Sequence, residues 1–359
     1  MESEFLVPSL ELLTLVKDAP QNDKKLKEYL IENEMGHLYK KLCENGSLAD
    51  EKSVYEKIIK KNDEKLKEIE SVQDTEKKRN LNYDRMVHLG KIGNLDELAR
   101  LNESPTVNTS VKMDVYLYEI RTGLILRNSA LISDRINKGL ALIEKNCDWD
   151  RRNKFKVYQG LIHMLKYEYK QAADLFTSTL ATFQCNELFS FEEFIKYTIF
   201  CSVIAYDRKQ LQEKILKSTD ILEMRNNCKT AFDLVQTIQS CYYVSIFKKL
   251  VEFCEENTTD LFIGDKLAFF INEVKIRSYN QLLESYSSIR IQSMAETFCV
   301  SEEYLENDLN HFIVNERLYC MIDKIDKMVL VRECERTFSD KMSDLSNQVL
   351  NYVEKQTNK

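Results

Sequence analysis

The sequence predicts a mostly α-helical protein: a helical-repeat solenoid, then a winged helix, then a single terminal helix. Three observations carry that reading. Glycine and proline are scarce, eight and three in 359 residues, about 3% where roughly 12% is usual. A β-sandwich or barrel needs turn residues roughly every 8–12 positions, and a parallel α/β fold needs glycines at its loop ends, so neither fits. Apolar residues recur at three- and four-residue spacing along most of the chain, the period of a helix with one buried face. Near residue 289 this gives way to two short helices followed by two β-like runs.

Composition sets the remaining bounds. With 43% apolar and 30% charged residues and a net charge of −7, the chain can pack a core and is not a disordered polyampholyte. The longest uncharged stretch, Leu234 to Phe247, has fourteen residues, and a bilayer needs about 18–20 apolar ones, so no membrane span is expected. Met1-Glu2-Ser3-Glu4 is acidic, unlike the basic start of a signal peptide. The ten cysteines come no closer than thirteen residues apart, which excludes a C-x-x-C zinc or redox motif. They read as reduced core residues of a cytoplasmic and nuclear protein.

In chain order, residues 1–80 form an N-terminal helical segment. Leu12, Leu13, Leu15 and Val16, then Leu26, Tyr29 and Leu30, then Leu38 and Leu42 keep helical spacing, with breaks at Pro20 and Gly36. Asp50 to Arg79 is dominated by charge and reads as one long exposed helix, either a solvated spacer or a docking strut against a neighbouring chain. Residues 81–288 form a tetratricopeptide-like solenoid. Gly93-Asn94-Leu95-Asp96-Glu97-Leu98 has the form of an inter-helix turn, and Glu168-Tyr169-Lys170-Gln171-Ala172-Ala173 repeats it. Leu98 and Ala172 are 74 residues apart, twice 37, with Ile136 to Leu140 as a degenerate middle copy. Gly160 and Phe176 are spaced for small-into-large packing between two helices. Stripes at Phe191, Phe194, Ile195, Ile199 and Val203, at Leu216, Ile221 and Leu222, and at Phe232, Val235, Ile238 and Tyr242 continue the array.

Residues 289–332 make the winged helix. Ile291 to Phe298 is its first helix, Ser301 caps a second that runs to about Asn315, and strands are expected at Leu318–Ile322 and Met328–Val331. Residues 333–359 make the terminal helix, with a capping box at Thr337 and Asp340. Its seam, Phe338, Met342, Leu345, Val349 and Tyr352, steps by 4, 3, 4 and 3.

No reaction centre emerges from the sequence. His37, His88, His163 and His311 stand far apart, with no H-E-x-x-H pair, no G-x-S-x-G elbow and no phosphate-binding loop. No catalytic residue, cofactor or metal ligand is assigned. A winged helix raises the question of nucleic acid, but Ile289 to Arg332 carries five basic residues against eight acidic ones. Its second helix displays Glu302, Glu303, Glu306 and Asp308. An acidic reading helix repels phosphate, so a nucleic-acid-binding adaptor is disfavoured and the wing is better suited to protein.

A helical array running straight into a winged helix is the layout of a PCI domain, and particular residues sharpen the likeness. Cys147-Asp148-Trp149-Asp150-Arg151-Arg152-Asn153, Lys156-Val157-Tyr158-Gln159-Gly160 and Gln171-Ala172-Ala173-Asp174-Leu175-Phe176 resemble the PCI-domain family of non-ATPase subunit six of the 26S proteasome lid. So do Tyr279 to Tyr286, Met294-Ala295-Glu296 and Leu318 to Lys324. The paralogous signalosome family, its subunit one, is the alternative. The sequence departs from the family in a short Arg332–Arg336 connection and in Pro105 to Ser110, which replaces a clear helical pattern. The resemblance implies a non-catalytic scaffold whose partners are other PCI-domain lid subunits, the lid deubiquitinase and the ATPase ring, in ubiquitin-dependent degradation. Two readings of the Trp149 corner stand together: a helix entry with the indole packed as a staple, or a contact of Trp149, Arg151 and Arg152 with an adjacent subunit. Tyr319 and Met321 on the wing are the second candidate contact, and the seam of the terminal helix is the third.

That seam generates a test. A helix of about twenty residues is marginal alone in water, and each buried apolar side chain contributes on the order of 1.5–3 kcal/mol. The 4-3-4-3 steps favour a bundle with helices of other chains. Deleting Phe338 to Lys359 should leave the isolated chain's melting temperature nearly unchanged and greatly reduce its incorporation into the complex. A large loss of stability in the isolated chain would mean that the helix packs in cis.

Overall fold

A computed structural model describes residues 8, 11–44, 58–60, 62, 78–104, 107–144 and 148–331. They fall into two compact units, one running through Phe232 together with Thr259–Asp265, the other comprising Asp233–Thr258 and the residues from Lys266 onward.

The first unit is built from helix hairpins. Among its helices are α1 (Glu11–Glu32), α2 (Gly36–Glu44), α3 (Lys78–Ile92), α4 (Leu95–Asn102), α5 (Thr109–Ile125), α6 (Ser129–Glu144), α7 (Trp149–Leu165), α8 (Tyr169–Thr179) and α9 (Phe191–Ala205). The tight turns share one device, a left-handed residue followed by an amide that reaches back five positions. Asn94 N donates to Leu89 O at 3.1 Å, Asn128 N to Gly123 O at 2.9 Å and Glu168 N to His163 O at 2.9 Å. The left-handed residues are Gly93, Arg127 and Tyr167, with φ of 82°, 53° and 64°. These spacings are 34 and 40 residues rather than 37 and 37. Ile136 to Leu140 therefore lies inside α6, and the middle turn comes earlier, at Leu126-Arg127-Asn128. Only Gly93 announces its turn by residue type. An arginine or tyrosine there accepts left-handed strain of roughly 1–2 kcal/mol, held in place by the packing on either side.

Small-into-large packing is confirmed and recurs. A Cβ on Gly160 would lie 2.5 Å from the ring of Phe176, and one on Gly139 would lie 2.4 Å from the ring of Phe155. Each glycine of one helix receives a phenylalanine sixteen residues on, from the next helix. Phe176 then meets Phe194 of α9 edge to face, with ring centroids 5.4 Å apart. Ala172, Phe155, Phe176 and Phe194 are fully buried.

Three further sequence expectations need correction in this unit. The break expected at Pro20 does not occur, for α1 runs from Glu11 through Glu32. Within Asp50–Arg79, the described residues 58–60 and 62 are helical, but Ile58 and Asn62 are buried rather than exposed. They lie against Gly36, whose Cβ would sit 3.2 Å from Ile58. The remainder of that segment is outside the described residues, apart from the first residues of α3. The supposed stripe at Leu216, Ile221 and Leu222 is broken into α10 (Arg208–Leu211), a π turn (Gln212–Leu216) and α11 (Thr219–Glu223). Its Leu222 is exposed.

Helix α5 is buried on nearly every face from Met113 to Ile125, yet it carries Asp114, Glu119 and Arg121. Each has a partner from another segment. Arg151 meets Asp114, Arg135 Nε lies 2.6 Å from Glu119, and Arg121 Nη1 donates to the Pro8 carbonyl at 3.3 Å. Burial pushes the Glu119 carboxyl up to about 7, against the opposing pull of Arg135.

The second unit contains α12 (Lys229–Ser240, which starts in the first unit), α13 (Tyr243–Glu256), α14 (Leu267–Leu283) and the winged helix. Tyr242 falls in the turn after α12 and is exposed, so it does not extend that helix's stripe. The winged helix follows the expected order: α15 (Ile291–Phe298), a left-handed Cys299, then α16 (Glu302–Val314), capped by Ser301 Oγ accepting from Tyr304 N. Strands β2 (Cys320–Asp323) and β3 (Met328–Val331) form the wing. The first of them starts two residues later than the sequence suggested. A third strand, β1 (Ser288–Arg290), was not legible because it is only three residues long. The sheet order is β1-β3-β2, all antiparallel, with Ile289 opposite Val329 and Met321 opposite Leu330. Phe298, Leu305, Leu309, Phe312 and Val329 share one core with Tyr279 and Leu282 of α14.

Two outcomes follow from this packing. Gly160→Val should destabilise the chain by about 2–3 kcal/mol through overpacking, and adding Phe176→Leu should restore part of the loss, since contacting sites are not additive. Equal losses with and without the second change, read by chemical denaturation, would show that the two residues do not touch. Glu119 binds its proton more tightly folded than unfolded. Its contribution is therefore fullest below the ordinary value of 4.5 and fades as pH rises through about 7. Glu119→Gln should flatten the fall of unfolding free energy across that window, and an unchanged slope would count against the buried carboxyl.

Candidate interaction surfaces

Asp148 precedes α7 and Trp149 is its first residue, so the charged aromatic corner is a helix entry as expected. The indole is not a staple, for Trp149 is 62% exposed. Arg151 faces its own chain. Its Nε lies 3.0 Å from both oxygens of Asp114, its Nη2 donates to Asp114 Oδ2 at 2.8 Å, and its Nη1 to Asp148 at 2.8 Å. Ser110 Oγ closes the group by donating to Asp148 at 2.6 Å. Burial pushes the Asp114 carboxyl above its usual range, while the hydrogen bonds and charge of Arg151 pull it down. Arg151 thus fixes the start of α7 against α5. Trp149, Asp150 and Arg152 are left facing solvent.

On the wing, residues alternate as a half-buried strand requires. Leu318 and Cys320 point inward, while Tyr319 and Met321 are 60% and 40% exposed. Strand β2 is at the edge of the sheet. Its turn is set by Asp323, whose Oδ1 accepts from Ile325 N at 2.9 Å and Asp326 N at 3.3 Å. That turn holds Ile325 at 93% exposure, and Val314 at the end of α16 is 80% exposed. Sequence reading missed both, although an isoleucine within the charged run Asp323 to Lys327 is a visible anomaly.

The electrostatics of the winged helix argue against phosphate. Lys324 and Lys327 lie 3.5 Å and 3.6 Å from Glu306 and Glu302 of α16, and Arg317 donates to both oxygens of Glu273 at 2.8 Å. Asp308 is tied to α14 by Lys275 at 2.8 Å and by the Tyr279 hydroxyl at 3.1 Å. Two basic residues of the wing turn, Lys324 and Lys327, thus face acids of the helix that would have to read a groove, while Arg317 faces Glu273 of α14.

Phe338, Met342, Leu345, Val349 and Tyr352 lie outside the described residues. Among those described, no group of three or more His, Cys, Asp or Glu could hold a metal ion, and no helix is long and apolar enough to cross a membrane. Burial raises the Cys185, Cys254 and Cys320 thiols above their ordinary range, which keeps them protonated and poor nucleophiles.

Comparison with known proteins meets this geometry at both ends. The family profile described as 26S proteasome subunit RPN7 matches residues 49–214, and that of the PCI domain matches residues 248–333. The 26S proteasome non-ATPase regulatory subunit 6 homolog of Arabidopsis thaliana is 30% identical, over 89% of this chain and 87% of its own length. The 26S proteasome non-ATPase regulatory subunit 6 of Dictyostelium discoideum is 29% identical, over 96% and 93%. COP9 signalosome complex subunit 1 of Arabidopsis thaliana is 20% identical over 51% of this chain and 42% of its own length.

Proposed function

The chain belongs to the family of 26S proteasome non-ATPase regulatory subunit 6, or RPN7, and on that premise we propose that it is a non-catalytic scaffold subunit of the proteasome lid. The observation that carries this reading is the pairing of a hairpin array with a winged helix whose outward wing residues are apolar while its reading helix is acidic. Such a wing recruits protein rather than nucleic acid. The signalosome alternative has weaker support, since that relative matches only half of the chain.

Assembly in this proposal runs through three contacts. The edge of β2, with Met321 projecting from it and Tyr319 just before its start, adds to a strand of a neighbouring PCI subunit. The terminal helix places Phe338, Met342, Leu345, Val349 and Tyr352 in a shared helical bundle. Trp149 and Arg152 meet an adjacent lid subunit, with Arg151 holding the corner in shape rather than making the contact. A scaffold so fixed would help position the lid deubiquitinase and the ATPase ring around substrates marked with ubiquitin, in the cytoplasm and the nucleus.

The wing contact is tested by Tyr319→Asp combined with Met321→Lys. Both side chains point outward, so the monomer should keep its melting temperature, while charge on an edge strand blocks pairing. Expected is a folded chain that is depleted from the assembled particle in a competition with wild type. Incorporation equal to wild type would remove the wing from the interface.

A further inference from the structure

The first unit contains a cavity of about 440 Å³ that none of the proposed assembly contacts uses. It opens between α1, the turns that follow α5 and α7, the start of α6, and the 261–265 segment. That volume lies in the range of small-molecule sites, roughly 300–1,000 Å³. Its walls are apolar, with Ile132, Ile162 and Phe262 buried beneath it. Its rim is polar and carries two cations, Arg127 and Lys166, one acid, Asp265, and the hydroxyls of Ser129 and Ser133, one turn apart on α6. Arg127 and Lys166 are exposed, and among the described residues neither has a carboxylate partner.

We propose that this cavity binds a small amphiphilic monoanion, an aliphatic carboxylate, with its chain against the apolar walls and its head group between Arg127 and Lys166. Burying an aliphatic chain is favourable in proportion to the apolar area taken from water. Two cations against the single rim acid leave one positive charge for the carboxylate to neutralise. The two serine hydroxyls can donate to the oxygens that the cations leave free. A polyanion such as a nucleotide does not fit, because the apolar walls would desolvate charge without pairing it.

Titration of decanoate into the full-length chain, read by calorimetry, tests this. The expected result is saturable binding at one site, weakened by salt, with decanol of the same chain length binding more weakly. Arg127→Asn, in which asparagine tolerates the left-handed backbone, and Lys166→Gln should each weaken decanoate about three- to tenfold. Ser133→Phe should fill the cavity and abolish binding at an unchanged melting temperature. If that variant fails to fold, the two rim variants still decide the matter. Non-saturable binding, decanol binding as tightly as decanoate, or rim variants equal to wild type would overturn the proposal. So would a cross-link showing another chain's side chain seated in the cavity of the assembled particle. Failure here leaves the assembly reading intact, since that reading depends on other residues.

Discussion

The close approach of consecutive helices at Gly139 and Gly160 is the contact on which the array depends. In each case a phenylalanine of the following helix occupies the space where a Cβ would stand. The α7 helix takes part twice, giving Phe155 to α6 and receiving Phe176 from α8. Phe176 then passes the contact on to Phe194 of α9. No hairpin of this kind can bury its apolar face alone, so each contact both stabilises one pair and sets the surface for the next. The turns are subordinate to that packing. Arg127 and Tyr167 sit in left-handed conformations that favour glycine, and the helices on either side hold them there.

Charge is used in opposite ways in the two units. In the first, α5 carries acids and an arginine into the interior, where ion pairs and a backbone carbonyl hold neighbouring segments in register. Burying such pairs is costly, and their value is in specifying which helix meets which. In the second unit Glu302 and Glu306 of α16 lie at the surface and face the lysines of the wing turn, while Asp308 is held against α14. This leaves the outer wing face to Tyr319, Met321 and Ile325, a surface suited to another protein.

Periodicity and the scarcity of glycine made the helical class and the winged-helix order legible, down to the bounds of Ile291–Phe298 and the cap at Ser301. What escaped has physical causes. The middle turn was misplaced because Arg127 carries no turn signature and the repeats are 34 and 40 residues apart. Gly139 did mark something real, a packing site rather than a turn. The short strand Ser288–Arg290 takes its order from pairing with β3 and from burial of Ile289 in the winged-helix core, which no local pattern announces. At the Trp149 corner the helix entry was legible, whereas the partner of Arg151, Asp114, lies 37 residues away on another helix. Ile325 and Val314 show that exposure is decided by the fold rather than by residue type.

The account's central claim is that this chain is a scaffold of the proteasome lid. Native mass spectrometry of complexes purified from its own cells through a tag on the chain tests it most directly. The account predicts PCI-domain lid subunits in fixed stoichiometry with the chain, together with peptides of the ATPase ring. Recovery with signalosome subunits and without the ATPase ring would contradict it.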